Sequence, residues 1–280
     1  MRRLWILSVL ITTGLLRAQD GQHASRPNWP CVAGRAVDPT YLDISESTGG
    51  QLFLFQKGEA AQSGLVMNAP YTHPVTVLRA VGHLNGTRDL EFPVDSSIES
   101  LLLLVSVQCR NAILVSRPSG AEATDRNSAL SVELAAGKIL RVDQPEPGKW
   151  RVRLTGSGLF VLSVMAKSTI ALSAVSFSRK DAQTEGDEPA PRSNIPMLGA
   201  PQTVNLRIGG SVSRLTAQLV DASLRPIADL DSPEQVAEGA YRTTVATEAE
   251  RYRILVTGED GSSWPFQRMY PVLFHAKPAK

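Results

Sequence analysis

The 280-residue sequence predicts an all-β protein of two β-sandwich domains with one short N-terminal helix. Residues Trp150-Arg151-Val152-Arg153-Leu154 alternate apolar and charged, the pattern of a strand with one buried and one wet face. Just ahead of them, Pro147-Gly148 suits the central positions of a type II turn, because proline presets φ and glycine tolerates positive φ. Segments of this kind recur at close spacing along most of the chain, with turn residues between them.

Residues 1–18 read as a secretory signal peptide. Arg2 and Arg3 form a charged start, Leu4 to Leu16 an apolar stretch, and Ala18 a small residue before the expected cut. That stretch falls short of the ~20 apolar residues a membrane-spanning helix needs, so the mature chain is expected outside the cell, or in the periplasm of a Gram-negative host, and not spanning a membrane. A polar, proline-bearing arm follows, and residues 19–60 group it with a helix and a strand. Asp38-Pro39 reads as an N-cap with proline at the first helical position, Tyr41, Leu42 and Ile44 as the helix's apolar side, and Gly49-Gly50 as its stop. Gln51 to Gln56 is apolar on both faces, which points to a strand buried inside a sheet.

The first sandwich is expected over 61–180. Its strands are Asp89–Val94, Ile98–Val107, Ala112–Arg117, Leu130–Leu134, Ile139–Val142, Trp150–Thr155, Leu159–Lys167 and Ile170–Ser178. Leu101 to Val105 is the natural central strand, and Trp150 a core anchor. Residues 181–197 are charged and proline-rich, the composition of a linker. The second sandwich, 198–277, has strands at Gln202–Ile208, Arg214–Asp221, Ile227–Leu230, Tyr241–Ala246, Tyr252–Thr257 and Gln267–His275, with Gly209-Gly210-Ser211 as a hairpin turn.

Twenty-nine basic against 27 acidic residues leave a net charge of +2, too balanced to argue for nucleic acid. Cys31 and Cys109 are the only cysteines, and export predicts one disulfide between them. His23, His73, His83 and His275 are scattered, so no metal site is expected. No Gly-x-Ser-x-Gly elbow, His-Glu-x-x-His or phosphate-cradling glycine loop is present, so neither catalytic residues nor a cofactor are expected. Asp95, Glu99, Asp143 and Glu146 read as solvated turn carboxylates, and His73 and His83 as surface or hydrogen-bonded histidines. Trp29, Tyr71 and Trp264 lie in loop-like sequence, where aromatics meet partners or cap a sandwich end; Tyr71 and Trp264 are the candidate ligand contacts. Asn85-Gly86-Thr87 is a glycosylation sequon.

Pro145-Glu146-Pro147-Gly148-Lys149-Trp150, Lys167-Ser168-Thr169-Ile170, Phe177-Ser178-Arg179-Lys180, Gly199-Ala200-Pro201 and Leu255-Val256-Thr257-Gly258-Glu259-Asp260 with Phe266-Gln267-Arg268 resemble a region of the hemicentins. That region lies between the von Willebrand A domain and the immunoglobulin repeats, and related secreted proteins carry it too. The resemblance runs in order from Cys31 to His275 and implies a galactose-binding-like jelly roll followed by an immunoglobulin-like domain. Asp38-Pro39-Thr40-Tyr41 and Ser47-Thr48-Gly49-Gly50-Gln51-Leu52-Phe53 resemble the last helix and strand of the von Willebrand A domain. The Asp-x-Ser-x-Ser cation motif of that domain has no counterpart here, so its site is not carried over. The helix and strand are expected to dock on the first sandwich. By this resemblance the chain is a secreted, non-catalytic adhesion, matrix or carbohydrate-recognition module meeting an extracellular protein or glycan. The other expectation is an accessory subunit of an extracellular assembly, without glycan binding.

Overall fold

The computed structural model describes residues 10–11, 37–124, 126–179 and 193–278. Most of the predicted leader, Cys31, Trp29 and nearly all of the linker lie outside the described residues. Within the leader, Leu10–Ile11 (β1) pairs in parallel with Leu54–Phe55 (β2).

Helix α1 (Pro39–Thr48) forms where the capping signals place it. The Thr40 amide donates to Asp38 Oδ1 at 2.9 Å, and Gly49 closes the helix at φ 73°. Its buried side is not the predicted one. Tyr41 is exposed and Leu42 and Ile44 only half-buried, whereas Ser45 and Glu46 are buried, for the reason given below. After a 3₁₀ turn, Lys57–Gln62, comes a second helix that the sequence does not predict, α2 (Ser63–Thr72). Its weak amphipathic pattern and internal Pro70 hide it.

The first domain is one antiparallel sheet ordered β3-β7-β4-β6-β5: Val75–Val94, Gly148–Ser168, Ile98–Ser116, Gly137–Asp143 and Leu130–Leu134. Two predicted divisions disappear and one strand is longer than predicted. Residues 75–88 extend Asp89–Val94 upstream, and Ile98–Val107 with Ala112–Arg117, like Trp150–Thr155 with Leu159–Lys167, are halves of single strands of 19 and 21 residues. Strands this long would run about 60–70 Å if straight. Instead the register shifts at Val107/Cys109 and Arg110/Ala112, opposite Gly156 and Gly158, whose φ values of 153° and 85° demand glycine. Leu90, Phe92, Ile113, Trp150 and Val152 of the distal halves thus share one core with Leu101, Leu103, Val105, Leu162 and Val164 of the proximal halves. Trp150 is fully buried, with its Nε1 donating to the Glu146 carbonyl at 2.9 Å.

The distal halves keep alternating burial, while 101–107 and 159–166 are buried throughout. The N-terminal segment covers the proximal outer face: Phe53, Phe55, Val66 and Ala69 pack on Leu102, Leu104, Ile139 and Met165, and Leu52 on Val81, Leu159 and Val161.

The second domain packs two sheets around Val204, Leu206, Leu219, Tyr252, Ile254 and Phe266. One is β13-β14-β10-β8: Glu234–Ala237, Ala240–Val245, Gln202–Gly209 and Ala171–Arg179. The other is β12-β11-β15-β16: Pro226–Asp229, Val212–Val220, Arg251–Asp260 and Pro265–Met269, with β17 (Phe274–His275) beside β15. Short parallel strands β9 (Met197–Leu198) and β18 (Lys277–Pro278) pair near its base. Two expectations are corrected. The strand expected at Ile170–Ser178 in the first sandwich pairs along β10 instead, because alternation identifies a strand and not its neighbour. Gly209-Gly210-Ser211 joins β10 to β11, which belong to different sheets, so it is a crossover and not a hairpin turn.

Candidate functional site

The described surface carries an open cleft of about 360 Å³ lined by Thr72, His73, Glu99, Ser100, Arg141, Asp143, Gln144 and Lys167. Four elements converge on it. The end of α2 delivers His73, the start of β4 and the end of β6 pair Ser100 with Asp143, and the end of β7 brings Lys167 beside β4. His73 Nε2 lies 3.0 Å from Ser100 Oγ and its Nδ1 2.9 Å from Thr72 Oγ1; Ser100 Oγ donates to Asp143 Oδ1 at 2.7 Å. Thr72 Oγ1 donates its own proton to the Asn68 carbonyl at 3.1 Å, and the donor and acceptor roles of the two ring nitrogens depend on the tautomer. Nucleophilic activation needs the imidazole between hydroxyl and carboxylate. Here the hydroxyl stands between the other two, in contact with both.

Burial is the main cause that lowers the His73 pKa, and Arg141 and Lys167 lower it further against the opposing pull of Asp143, so the ring is neutral near pH 7. Lys167 Nζ is paired with Glu99 at 2.6 Å, whereas Arg141 Nε is 3.4 Å from Asp143 Oδ1 and poorly aligned, without a hydrogen bond. The cleft thus offers carboxylate acceptors and a guanidinium with spare donors side by side.

Tyr71 is in the last turn of α2 and not in a loop; it is 75 % exposed and next in sequence to the cleft residue Thr72. Trp264 is 42 % exposed in the turn before β16, and its amide donates to Asp260 Oδ1 at 2.8 Å. Asp260 Oδ2 accepts from the amide and hydroxyl of Ser96, at 2.8 and 2.6 Å, in the β3–β4 turn. Glu99 and Asp143 meet in the cleft, and Glu146 is exposed. Asp95 corrects the expectation of a solvated carboxylate: it is 1 % exposed and accepts from Arg268 Nη1 at 2.8 Å. His73 is buried and bonded, His83 exposed. The pairing expected for Cys109 has its other half, Cys31, outside the described residues.

The densest polar cluster missed by the sequence is the junction of the two sandwiches. Glu46 Oε1 pairs with Arg79 of β3 at 2.8 Å, and Oε2 with Arg253 of β15, all three side chains being buried. This is why α1 buries a polar face. Burial alone would raise the Glu46 pKa, but the two arginines reverse it and hold the carboxyl below its ordinary range. Burial lowers Arg253 to about 10 despite Glu46, and its Nη1 has no hydrogen-bond partner among the described residues. Beside this triad Arg268, fully buried, donates to the Ile170 and Gln267 carbonyls, Asp95, Ser97 and Ser168, so all its N–H directions are used. Gln267 Nε2 to the Val77 carbonyl at 3.0 Å, Val81 N to the Ala222 carbonyl at 2.7 Å, and Arg88 to the Ser223 carbonyl complete the joint.

A family model described as hemicentin galactose-binding domain-like matches residues 74–169, the span of the long bent strands. The region is hemicentin-like. Mouse (Mus musculus) Hemicentin-1 is 24 % identical over 245 residues, covering 84 % of this chain and 4 % of its own length. Among solved structures, a DUF4785 family protein from Legionella pneumophila aligns with a TM-score of 0.39 at 10 % identity, over 72 % of this chain and 64 % of that one. The Bacillus licheniformis lipase BlEst2 in propeptide form aligns at 0.31 and 12 %, over 69 % and 40 %. Likeness of that size carries no functional argument. No helix among the described residues is long and apolar enough to cross a membrane.

Proposed function

We propose that this hemicentin-like chain is an extracellular, non-catalytic adhesion-type module, and that its cleft recognises a glycan. The hydrogen-bond order His73–Ser100–Asp143 carries the proposal, because it fixes polar groups for recognition and departs from the hydroxyl–imidazole–carboxylate order of an activated nucleophile. A sugar ring presents donors and acceptors together, and here they meet Asp143 and Glu99 as acceptors and Arg141 and Lys167 as donors. Exposed Tyr71 next to the cleft supplies an aromatic face for the apolar side of a sugar. The volume is in the usual range for a small-ligand site. The family match and the relative support the extracellular, adhesion-type part of this reading. The Cys31–Cys109 disulfide belongs to the same proposal.

A glycan array with the purified chain, followed by titration of the best ligand, tests it. Arg141→Ala and Asp143→Ala are expected to weaken binding about 10- to 100-fold each, the size of a lost charge-assisted hydrogen bond. Tyr71→Ala is expected to weaken it less. Absence of glycan binding together with a co-purifying protein would replace this reading with that of an accessory subunit.

A further inference from the structure

We infer that Asn85 is a site of N-linked glycosylation, on the free edge of the first sheet. It rests on the extracellular reading above. The sequon Asn85-Gly86-Thr87 lies within β3, the edge strand of its sheet, whose strand partner is β7. The second sandwich covers part of that edge: the Val81 amide donates to the Ala222 carbonyl, and Arg88 reaches the Ser223 carbonyl. Between these two contacts Asn85, Gly86 and Thr87 are exposed, opposite Ser157, Gly156 and Thr155 of β7. Gly86, paired with Gly156, has φ 102° and open space where a Cβ would be, so no side chain crowds this part of the edge. The Asn85 carboxamide makes no hydrogen bond with any described residue, whereas Thr87 Oγ1 is held 3.1 Å from Thr155 Oγ1. The acceptor amide is therefore unengaged and solvent-facing, as a glycosylated asparagine must be.

The donor is a polyprenyl-diphosphate-linked oligosaccharide, supplied with its transferase by the secretory pathway. Asn85 Nδ2 attacks the anomeric carbon; a carbon–nitrogen bond forms, the carbon–oxygen bond to the diphosphate breaks, the diphosphate leaves with the electron pair, and Nδ2 gives up one proton. The bulky hydrophilic product on an edge strand hinders edge-to-edge pairing with other chains.

The full chain expressed in a mammalian secretory cell line is collected from the medium and treated with peptide-N-glycosidase. The expected result is a gel-mobility shift and conversion of Asn85 to aspartate in the peptide mass map. Both are lost in Asn85→Gln and in Thr87→Ala and kept in Thr87→Ser, a set that separates occupancy from misfolding. Chain in the medium with Asn85 unmodified overturns the inference alone. Chain retained in the cytosol overturns the extracellular reading and the inference with it.

Discussion

Tyr252 and His73 show how far a single side chain departs from what its position in sequence announces. Tyr252 is fully buried, burial raises the pKa of its hydroxyl, and that hydroxyl has no hydrogen-bond partner among the described residues. An unsatisfied buried hydroxyl costs about 1–3 kcal/mol, more than its oxygen returns in packing. Tyr252→Phe is therefore expected to leave stability unchanged or to raise it by about 1 kcal/mol, read from urea unfolding. His73 makes a different prediction. Its folded pKa lies below the ordinary value of 6.5, so on acidification the unfolded chain takes up the proton first, and stability falls as pH drops from above 6.5 through the lowered value. The carboxylate contribution of Glu46, present above its ordinary value of 4.5, is lost only at lower pH. Unfolding free energy measured from pH 7.5 to 5 is expected to decline, with a shallower slope in His73→Gln; equal slopes would remove the buried neutral imidazole from the account.

At the scale of elements, strand identity was legible in the sequence and strand continuity was not. Alternation at Trp150 to Leu154 marked the distal half of β7, and the continuous apolar run at Leu101 to Val105 marked a strand covered on both faces. Nothing local shows that two such segments are one strand bent at its middle, because a glycine pair reads equally as a bend or a turn. Gly156 decides the matter in three dimensions. A Cβ there would sit 2.3 Å from the Cys109 carbonyl oxygen, at a backbone φ of 153°. Gly156→Ala must break the bend or push β4 away, at a cost of about 1–3 kcal/mol or more. Gly64, in α2 with open space around it, is the control: Gly64→Ala is expected to stabilise by about 0.5–1 kcal/mol. Denaturant midpoints of the two variants should move in opposite directions. Helix α1 is the complementary case: its caps were readable from Asp38, Pro39 and Gly49, but its buried face is set by partners far along the chain.

At the scale of the molecule, the two sandwiches are joined by charge as much as by apolar contact, and this was illegible in the sequence. Glu46, Arg79 and Arg253 come from three separate segments, Asp95 and Arg268 from two, and isolated charged residues read as surface. The cleft was half legible for the same reason. Tyr71 was visible as a candidate, the histidine two residues on was read only as a surface or hydrogen-bonded one, and the meeting of Ser100 with Asp143 depends on the β4–β6 register. Because Glu46 gives one carboxylate oxygen to each sandwich, it couples their unfolding. The wild-type chain is expected to melt in one calorimetric transition. Glu46→Gln keeps the shape but leaves two buried guanidinium groups facing a neutral amide, and breaking a buried pair costs about 3–5 kcal/mol. That loss falls on the joint, so the variant is expected to melt in two transitions, the second domain separating from the first. Glu91→Gln removes an exposed partner of Arg151 and Lys149 on the outer face of the first sheet and should leave the single transition intact. One transition in both variants would show that Gln267, Ala222 and the apolar contacts hold the sandwiches together without the buried triad.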